Sequence, residues 1–552
     1  MLKSVLSAIP TYTMSCFPLP VGLCNQIQSA LTRFWWDANS SERKMCWIAW
    51  DSLAEHKDDG GLGVRDIQDF NTAMLAKNAW RILTAPDSLL ARLLLGKYCH
   101  NTSFLSTPCV SSASHGWRGI TAGCRLLNLY LGRVIGNGSM TKVWSDSWIS
   151  TTSHILPIGP PTESCRDLYV SDLLTRESRQ WNQALVETVL PEFASQILLL
   201  RPSIQNAEDF YCWQRTKSSI YSVKSGYYAL REDHRNTSLQ APQINPFDWQ
   251  KHVWKKETSP KLKLFLWRLC RGALPLGANL QNRGIATPGS CPHCNAHETT
   301  MHLFMECPFA QQLWELAPFG QQLEFSNVTS APELLMASSS WICLPPTGIT
   351  SDLVSWLLWG IWNARNLLVF ENRAIPAKRS MEIAIGAARE WLLAQNQAAT
   401  LPKQAPPRFD QPPSRLDITL CNSDAAWSAS SMQAGLGWHF VDDQASALEQ
   451  GSCVLQRVSS PLMAEALAMR EAVTEAKRTS LLKVWFRTDS LELARALNSK
   501  SYPVELYGVL MDIKLLSLSF NFFFVSFVGR EHNVLADSLA KSALSTGSVR
   551  LY

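Results

Sequence analysis

The chain has 552 residues and a formal net charge of +5, long enough for three or four domains of ordinary size. Its 15 cysteines are odd in number and lack framework spacing, which argues against a disulfide scaffold and for a reducing compartment. From residue 416 onward, 12 Lys plus Arg stand against 14 Asp plus Glu, while the part before it carries 39 against 32. The positive excess lies upstream, where binding a nucleic acid would benefit from it, but it is too small to establish that partner.

The start, MLKSVLSAIPTYTMSCFPLP, imitates a signal peptide with Lys3 and an apolar run. Pro10 and the hydroxyl residues break that run, and no clear cleavage pattern follows, so the expected location is intracellular, nuclear or cytoplasmic, without a membrane span. Residues 1–105 carry FWWD, WIAWDSLAEHKDDGGLGVRDIQDFNTAMLAKNAWRIL and LLLGKY. The pair Asp58 and Asp59 falls in a Gly-rich loop and reads as plain surface charge. Residues 106–225 form a connecting region, in which GRVIGNGSMTKVWSDSW predicts a type I′ β-hairpin at Asn137-Gly138. As a phosphate loop this G-x-G is weak, because no helix opens after it.

Residues 226–320 hold a metal-ligand pattern. Cys291, Cys294, His302 and Cys307 are spaced C-x2-C-x7-H-x4-C, and thiolates with imidazole at such spacing are what tetrahedral Zn²⁺ takes. Four protein ligands close the site to water and make it structural. His293 and His297 share the loop, which leaves the fourth ligand open. The preceding amphipathic helix carries Lys261, Lys263, Arg268 and Arg271, a solvated face in the plainer reading and a phosphate contact in the other. A helical region follows over 321–400, with Trp356, Trp359 and Trp362 at helical spacing as core. Residues 401–415 lie within LPKQAPPRFDQPPSRL, whose five prolines make a semi-extended linker.

In the last segment, 416–552, Ile418 to Cys421 reads as a strand that leaves Asp424 near its C-terminal end. Two strands, roughly Ala434 to Val441 and Gly451 to Arg457, precede a helix opened by Pro461, with Glu465 in its first turns. The strand LLKVWFRTDS ends at Asp489, and Ser490 caps the next helix. LSFNFFFVSFVG alternates too poorly for a surface strand and predicts a buried one. Asn533 is placed to cap a last helix that carries Asp537. The order is strand Asp, helix Glu, strand Asp, helix Asp. Four carboxylates at one site cannot all stay ionised without cations. Mg²⁺ prefers oxygen ligands, and two such ions clamp the attacking and leaving oxygens of a phosphodiester displacement.

CNSDAAW, MAEALAMREAV, VWFRTDS and REHNVLADSLA together resemble the ribonuclease H domain of plant non-LTR (LINE-type) retrotransposons. The Cys/His segment, with PKLKLFLWRLCRGALPLGANLQNRGI before it, resembles the zinc-binding domain that follows reverse transcriptase in the same elements. Residues 1 to about 100 look like the segment C-terminal to the polymerase palm. The resemblance implies a multidomain chain: helical N-terminal and middle regions, a small zinc-binding domain, and a C-terminal α/β ribonuclease H-like fold with a mixed five-stranded sheet. It also implies that Asp424, Glu465, Asp489 and Asp537 bind two Mg²⁺ ions that drive hydrolysis of the RNA strand of an RNA–DNA hybrid. Family members carry a His on the loop before the last helix that assists product release. Arg530 and His532 both stand there, and Asn533 matches a position near the substrate.

Phe440-Val441-Asp442-Asp443 spells a polymerase signature, but inside this segment it predicts a hairpin turn. The chain is therefore expected not to polymerise on its own, and a polymerase would act in trans. Three readings follow: a Mg²⁺-dependent RNA–DNA hybrid ribonuclease, a nucleic-acid-binding relic with an inactive nuclease fold and a structural zinc, and a fragment that aggregates through apolar surface left uncovered.

Overall fold

A computed structural model describes residues 1–37, 43–100, 103–108, 112–159, 163–237, 247–320, 325, 328–349, 352–398, 418–442, 446–499 and 503–546. The Pro-rich stretch 401–415 and Asp443 lie outside them. The chain forms two compact units, one from Met1–Thr11, Pro20–Gln68 and Ser238–Pro406, the other from Tyr12–Leu19, Asp69–Thr237 and Pro407–Tyr552. Among the described residues no helix is long and apolar enough to cross a membrane.

The first unit is helical. Ser259 caps the helix Pro260–Cys270 by accepting from the Leu262 N–H, and proline fills its first turn. Leu262, Phe265, Leu266, Trp267 and Leu269 are buried on it. Two of its cations pack on rings: the Lys261 ammonium lies over the Trp359 ring and the Arg268 guanidinium over Trp36. Trp356 and Trp362 of the helix Leu353–Glu371 are core. From the same helix Arg365 makes a two-pronged contact with Glu298, 2.9 and 2.8 Å, and Glu298 also accepts from the Gly277 N–H at 2.7 Å. That buried pair ties the helix to the Cys/His loop.

In the second unit the strand Leu131–Val134 pairs antiparallel with Phe210–Trp213, which corrects the expected hairpin at Asn137-Gly138. Gly138 takes a positive φ of 75° and Asn137 does not, whereas a type I′ turn needs both. The loop is organised from 70 residues downstream instead. Asp209 Oδ1 accepts from the N–H groups of Gly136 and Gly138, and Oδ2 from Met140 N–H and the Thr141 hydroxyl.

The same unit holds the five-stranded sheet. Its elements are β1 (Thr419–Ser428), β2 (Gln433–Val441), β3 (Ala447–Leu455), α1 (Pro461–Arg478), β4 (Lys483–Thr488), α2 (Leu491–Asn498), α3 (Tyr507–Ser517), β5 (Phe522–Phe527) and α4 (Val534–Thr546). The strand order is β3-β2-β1-β4-β5; the first three strands run antiparallel, and β4 and β5 join parallel to β1. Period-two burial sets the register: Ala434, Leu436, Trp438 and Phe440 of β2, and Val484 and Phe486 of β4, enter one core with Met463, Leu467 and Val473 of α1. Each large side chain so buried contributes about 1.5–3 kcal/mol. Asp442 closes the turn after β2 by accepting from the Ser446 N–H at 2.7 Å, the hairpin that the sequence predicts. β5 is the sheet edge rather than a fully buried strand, with Phe522, Phe523 and Phe524 half-buried and Phe527 exposed.

Residues 201–208 dock on this sheet's helices. The fully buried Asp512 of α3 accepts from the Ser203 hydroxyl at 2.5 Å and from the N–H groups of Ile204 and Gln205, and pairs with Arg470 at 3.3 Å. The Tyr507 hydroxyl donates to the Glu208 carbonyl.

Candidate active site and metal centre

β1 runs on through Asp424 to Ser428, so Asp424 is mid-strand and not near the strand end. The small polar run reads as a strand terminus, yet β2 stays paired as far as Ser428↔Gln433. What ends at Asp424 is the parallel neighbour: the last pair of β1 with β4 is Ser423↔Thr488. Asp424 is the next residue on β1 and Asp489 the first past the end of β4, which sets the two side by side.

The sheet here is covered by α4, which glycines admit. A Cβ on Gly437, the partner of Asp424, would lie 2.5 Å from the Ala536 carbonyl oxygen, and one on Gly435 would lie 2.1 Å from that of Ala540. Their absence brings in the helix that carries Asp537. Glu465 comes from α1, whose start is fixed by Ser460 accepting from the Met463 N–H and by Pro461.

One carboxylate oxygen each from Asp424, Glu465 and Asp489 lie within 4.8 Å of one another. Burial and the neighbouring Asp489 charge push Asp424 up to about 6. Glu465 is raised well above the usual carboxylate range by burial, then by Asp424 and Asp489, and burial raises Asp489. Glu465 Oε2 is buried without a hydrogen-bond partner. A buried anionic oxygen left unpaired is costly, and a hard divalent cation held by three carboxylates would satisfy it. These residues fit Mg²⁺.

The cluster opens into a cavity of about 500 Å³, lined also by Arg530, Asp537, Lys541 and Glu492. Asp537 shares the cavity but stands outside the close trio and pairs with Lys541 at 2.7 Å. Arg530 Nε lies 3.5 Å from Asp489, on a side chain 92% exposed. His532 is exposed beside Glu531 and is not among the lining residues. Asn533 is 1% exposed; its amide donates to the Ser423 carbonyl while its Oδ1 has no partner. Its side chain thus braces β1 instead of capping α4.

Sequence reasoning passed over Lys541 and Asn422. Lys541 was legible as the i+4 partner of Asp537. Asn422, buried beside the site, accepts from Arg487 Nε at 2.7 Å and donates to the His532 carbonyl at 2.9 Å; no local pattern announces it.

In the first unit Cys291, Cys294, His302 and Cys307 converge, one donor atom from each within 4.8 Å of the others. The sulfurs of Cys291 and Cys307 are 3.8 Å apart, those of Cys294 and Cys307 4.0 Å, and Cys294 Sγ is 3.1 Å from His302 Nε2. A tetrahedral ion with metal–sulfur bonds of about 2.3 Å separates its sulfurs by about 3.8 Å. The Cys307 thiol is held low by the hydrogen bond from Cys291, which makes it the readier thiolate. A wide turn, His302–Glu306, sets the last spacing through a bond from the Cys307 N–H to the His302 carbonyl. His293 stacks on Phe309 at 4.3 Å instead of joining the cluster, and His297 pairs in an isolated bridge with Ser290.

The family described as zinc-binding in reverse transcriptase matches residues 221–314, and the family described as reverse transcriptase-like matches residues 422–543. An uncharacterised mitochondrial protein of Arabidopsis thaliana is 44% identical over 152 residues, 27% of this chain and 99% of its own length. A second Arabidopsis thaliana protein, provisionally named a ribonuclease H protein, is 26% identical over 324 residues, 56% of this chain and 50% of its own length. This chain therefore spans about half of that relative. Among solved structures, RNase H1 of Halobacterium salinarum NRC-1 aligns at 22% identity, with 23% of this chain and 98% of that one covered and a TM-score of 0.23. LC11-RNase H1 in complex with an RNA/DNA hybrid aligns at 19% identity, with 23% and 98% covered and a TM-score of 0.22. With its zinc-binding and ribonuclease H-like parts both in place, the chain belongs to the family of plant retroelement-derived reverse transcriptase proteins.

Proposed function

We propose that the protein is a Mg²⁺-dependent ribonuclease of the ribonuclease H type, which cuts the RNA strand of an RNA–DNA hybrid. One observation carries this reading: Asp424, Glu465 and Asp489 converge at an open cavity with a buried Glu465 oxygen unpartnered. Mg²⁺, when bound as two ions, supplies a water nucleophile at neutral pH and charge stabilisation for the leaving 3′ oxygen. Asp424 and Asp489 would help to hold both ions, and Glu465 one of them. Asp537 would join the other once parted from Lys541. Arg530 and Lys541 put cations at the cavity rim, where a scissile phosphate enters, while His532 is the more distant candidate for assisting product release. Asn422 and Asn533 act by positioning, since both hold the Arg530–Asn533 loop against β1.

Cys291, Cys294, His302 and Cys307 hold a structural zinc in this proposal, which assigns 226–320 to the zinc-binding domain and 416–552 to the nuclease. Polymerisation belongs to a partner supplied in trans. The test is cleavage of an end-labelled hybrid by the full chain in Mg²⁺, beside Asp424→Asn. Cleavage by the wild type that the variant loses by about 10²-fold or more, the scale of deleting one transition-state contact, is the expected result. Absence of cleavage by a folded wild-type chain that still binds the hybrid would leave the inactive binding module, which the Asp537–Lys541 pair favours.

A further inference from the structure

The second unit holds another cleft, of about 1050 Å³, and Glu492 lines it as well as the acidic cavity. The two openings therefore meet over the start of α2. One wall of the second cleft belongs to the nuclease segment and carries Glu492 and Glu505. The other comes from residues upstream, with Arg215, Lys217 and Lys224 among threonine and serine hydroxyls, and Tyr228 at its side.

The basic wall has a built origin. The strand Phe210–Trp213 ends in a turn where Ser219 takes φ 56° and its N–H donates to the Thr216 carbonyl. Lys217 is displayed at the tip. The helix Val223–Thr237 then starts and exposes Lys224 in its first turn. Arg215 lies over the Tyr130 ring and pairs with Glu232, so its charge is already spent. Lys217 and Lys224 are exposed and form no ion pair among the described residues. Glu505 is raised by burial and by the nearby Glu492, which puts both carboxylates together on the opposite wall. A polyanion in this cleft is repelled from that wall and drawn to the lysines.

We infer that a nucleic-acid strand entering the acidic cavity continues past Glu492 and lays its phosphates along Lys217 and Lys224. This inference rests on the nuclease reading for its substrate class. It assigns to residues 214–228 a substrate-binding role outside the ribonuclease H-like segment. The exposed Ser218 beside Lys217 is placed to donate to a phosphate oxygen, whereas the hydroxyls of Thr216, Ser222 and Ser225 already donate to Ile220, Ser225 and Ser222, and the exposed Tyr228 ring is placed to stack on a base or sugar. Continuity with the acidic cavity favours a nucleic acid over an acidic protein segment.

The experiment measures anisotropy of labelled RNA–DNA hybrids bound to the full chain in EDTA, so that no cleavage is needed. One hybrid is short enough to end at the acidic cavity, and another is long enough to pass Glu492. Lys217→Glu/Lys224→Glu should weaken binding of the long hybrid and leave the short one unchanged. It should also lower the slope of log affinity against log salt by about two, one for each phosphate that a lysine no longer neutralises. Lys217→Ala/Lys224→Ala should act in the same direction and by less, with unchanged circular dichroism. Equal affinity of wild type and variants for the long hybrid overturns the inference. So does an equal loss on both hybrids, or displacement by polyglutamate with no response to hybrid length. Cleavage in Mg²⁺ is read separately: its absence beside length-dependent binding sinks the nuclease reading alone, and its presence without any lysine effect sinks this inference alone.

Discussion

Glu465 concentrates the site's electrostatic problem in a single side chain. Its folded pKa is raised, as are those of Asp424 and Asp489, so each neutral form is favoured in the folded state relative to the unfolded chain. The linkage then has a definite sign. Below the ordinary carboxylate range these groups cost nothing. As pH climbs from there through about 6, the value for Asp424, stability without metal is lost. Thermal unfolding of the full chain in EDTA should thus show a midpoint that falls as pH climbs from about 4 through about 6, the window the Asp424 shift defines. Mg²⁺ should recover the loss at pH 8. Glu465→Gln should flatten the curve and abolish the Mg²⁺ response together. A midpoint in EDTA that rises across this window would refute the arrangement. Asn533→Ala, which frees the Ser423 carbonyl next to Asp424, should weaken Mg²⁺ affinity by about 10–100-fold, the usual loss on removing an outer support of metal ligands. Calorimetric titration measures it, and a variant that binds as the wild type does would deny Asn533 that role.

Among elements, α4 is the one whose position depends most on what is missing beneath it. Gly437→Ala places a methyl 2.5 Å from the Ala536 carbonyl oxygen, and backbone cannot yield as a flexible side chain would. Overpacking of this kind costs about 1–3 kcal/mol, and the displacement carries Asp537 away from Asp424. The expected outcome is a lowered unfolding midpoint together with lost cleavage. A variant with wild-type midpoint and rate would show that α4 is free to slide. The sequence made much of this element plan legible, because its signals are local. Ser460-Pro461 and Ser490 start helices where capping chemistry says they should, and Thr488-Asp489 ends a strand whose alternation is clear. Legibility failed where the deciding partner is distant. Asp424 sits mid-strand because β2 keeps pairing beyond it, and the Asn137-Gly138 loop is shaped by Asp209. Asn533 braces β1 through a carbonyl 110 residues earlier. Type and order singled out four acidic positions, of which the structure brings three within 4.8 Å; the place of Asp537 outside that trio depends on Lys541 and on helix placement, which spacing does not encode.

At the scale of the whole molecule, two buried anchors carry consequences across long stretches of chain. Cys291→Ser leaves three donors around a site built for four, and metal binding in such sites is folding free energy. Zinc should be lost, and the 260–320 region should become open to protease. Since Glu298 binds both the Gly277 N–H and Arg365, the helix Leu353–Glu371 should lose protection with it. Zinc content by atomic spectroscopy and the proteolytic map check both, and unchanged resistance there would show that the fold stands without metal. Asp512→Ala strips the acceptor from Ser203, Ile204, Gln205 and Arg470 at once. Removing one partner of a buried pair typically costs about 3–5 kcal/mol, so the variant should unfold at lower denaturant and be cut first near residues 201–208. Cutting elsewhere first, with an unchanged midpoint, would show that this docking is dispensable.

The Asp512 anchor also bears on how such a chain can be inherited. The reverse transcriptase-like match begins at residue 422, just past the proline-rich stretch that looks like a natural seam for exchanging modules. A recombination there would hand on a sheet whose buried aspartate had lost its acceptor-hungry loop, and a donor stretch whose N–H groups had lost their aspartate. Each product would begin its history with a defect to repair. Descent should therefore have kept residues 201–208 and α3 travelling together, so that substitutions in one are answered in the other across 300 positions of intervening sequence.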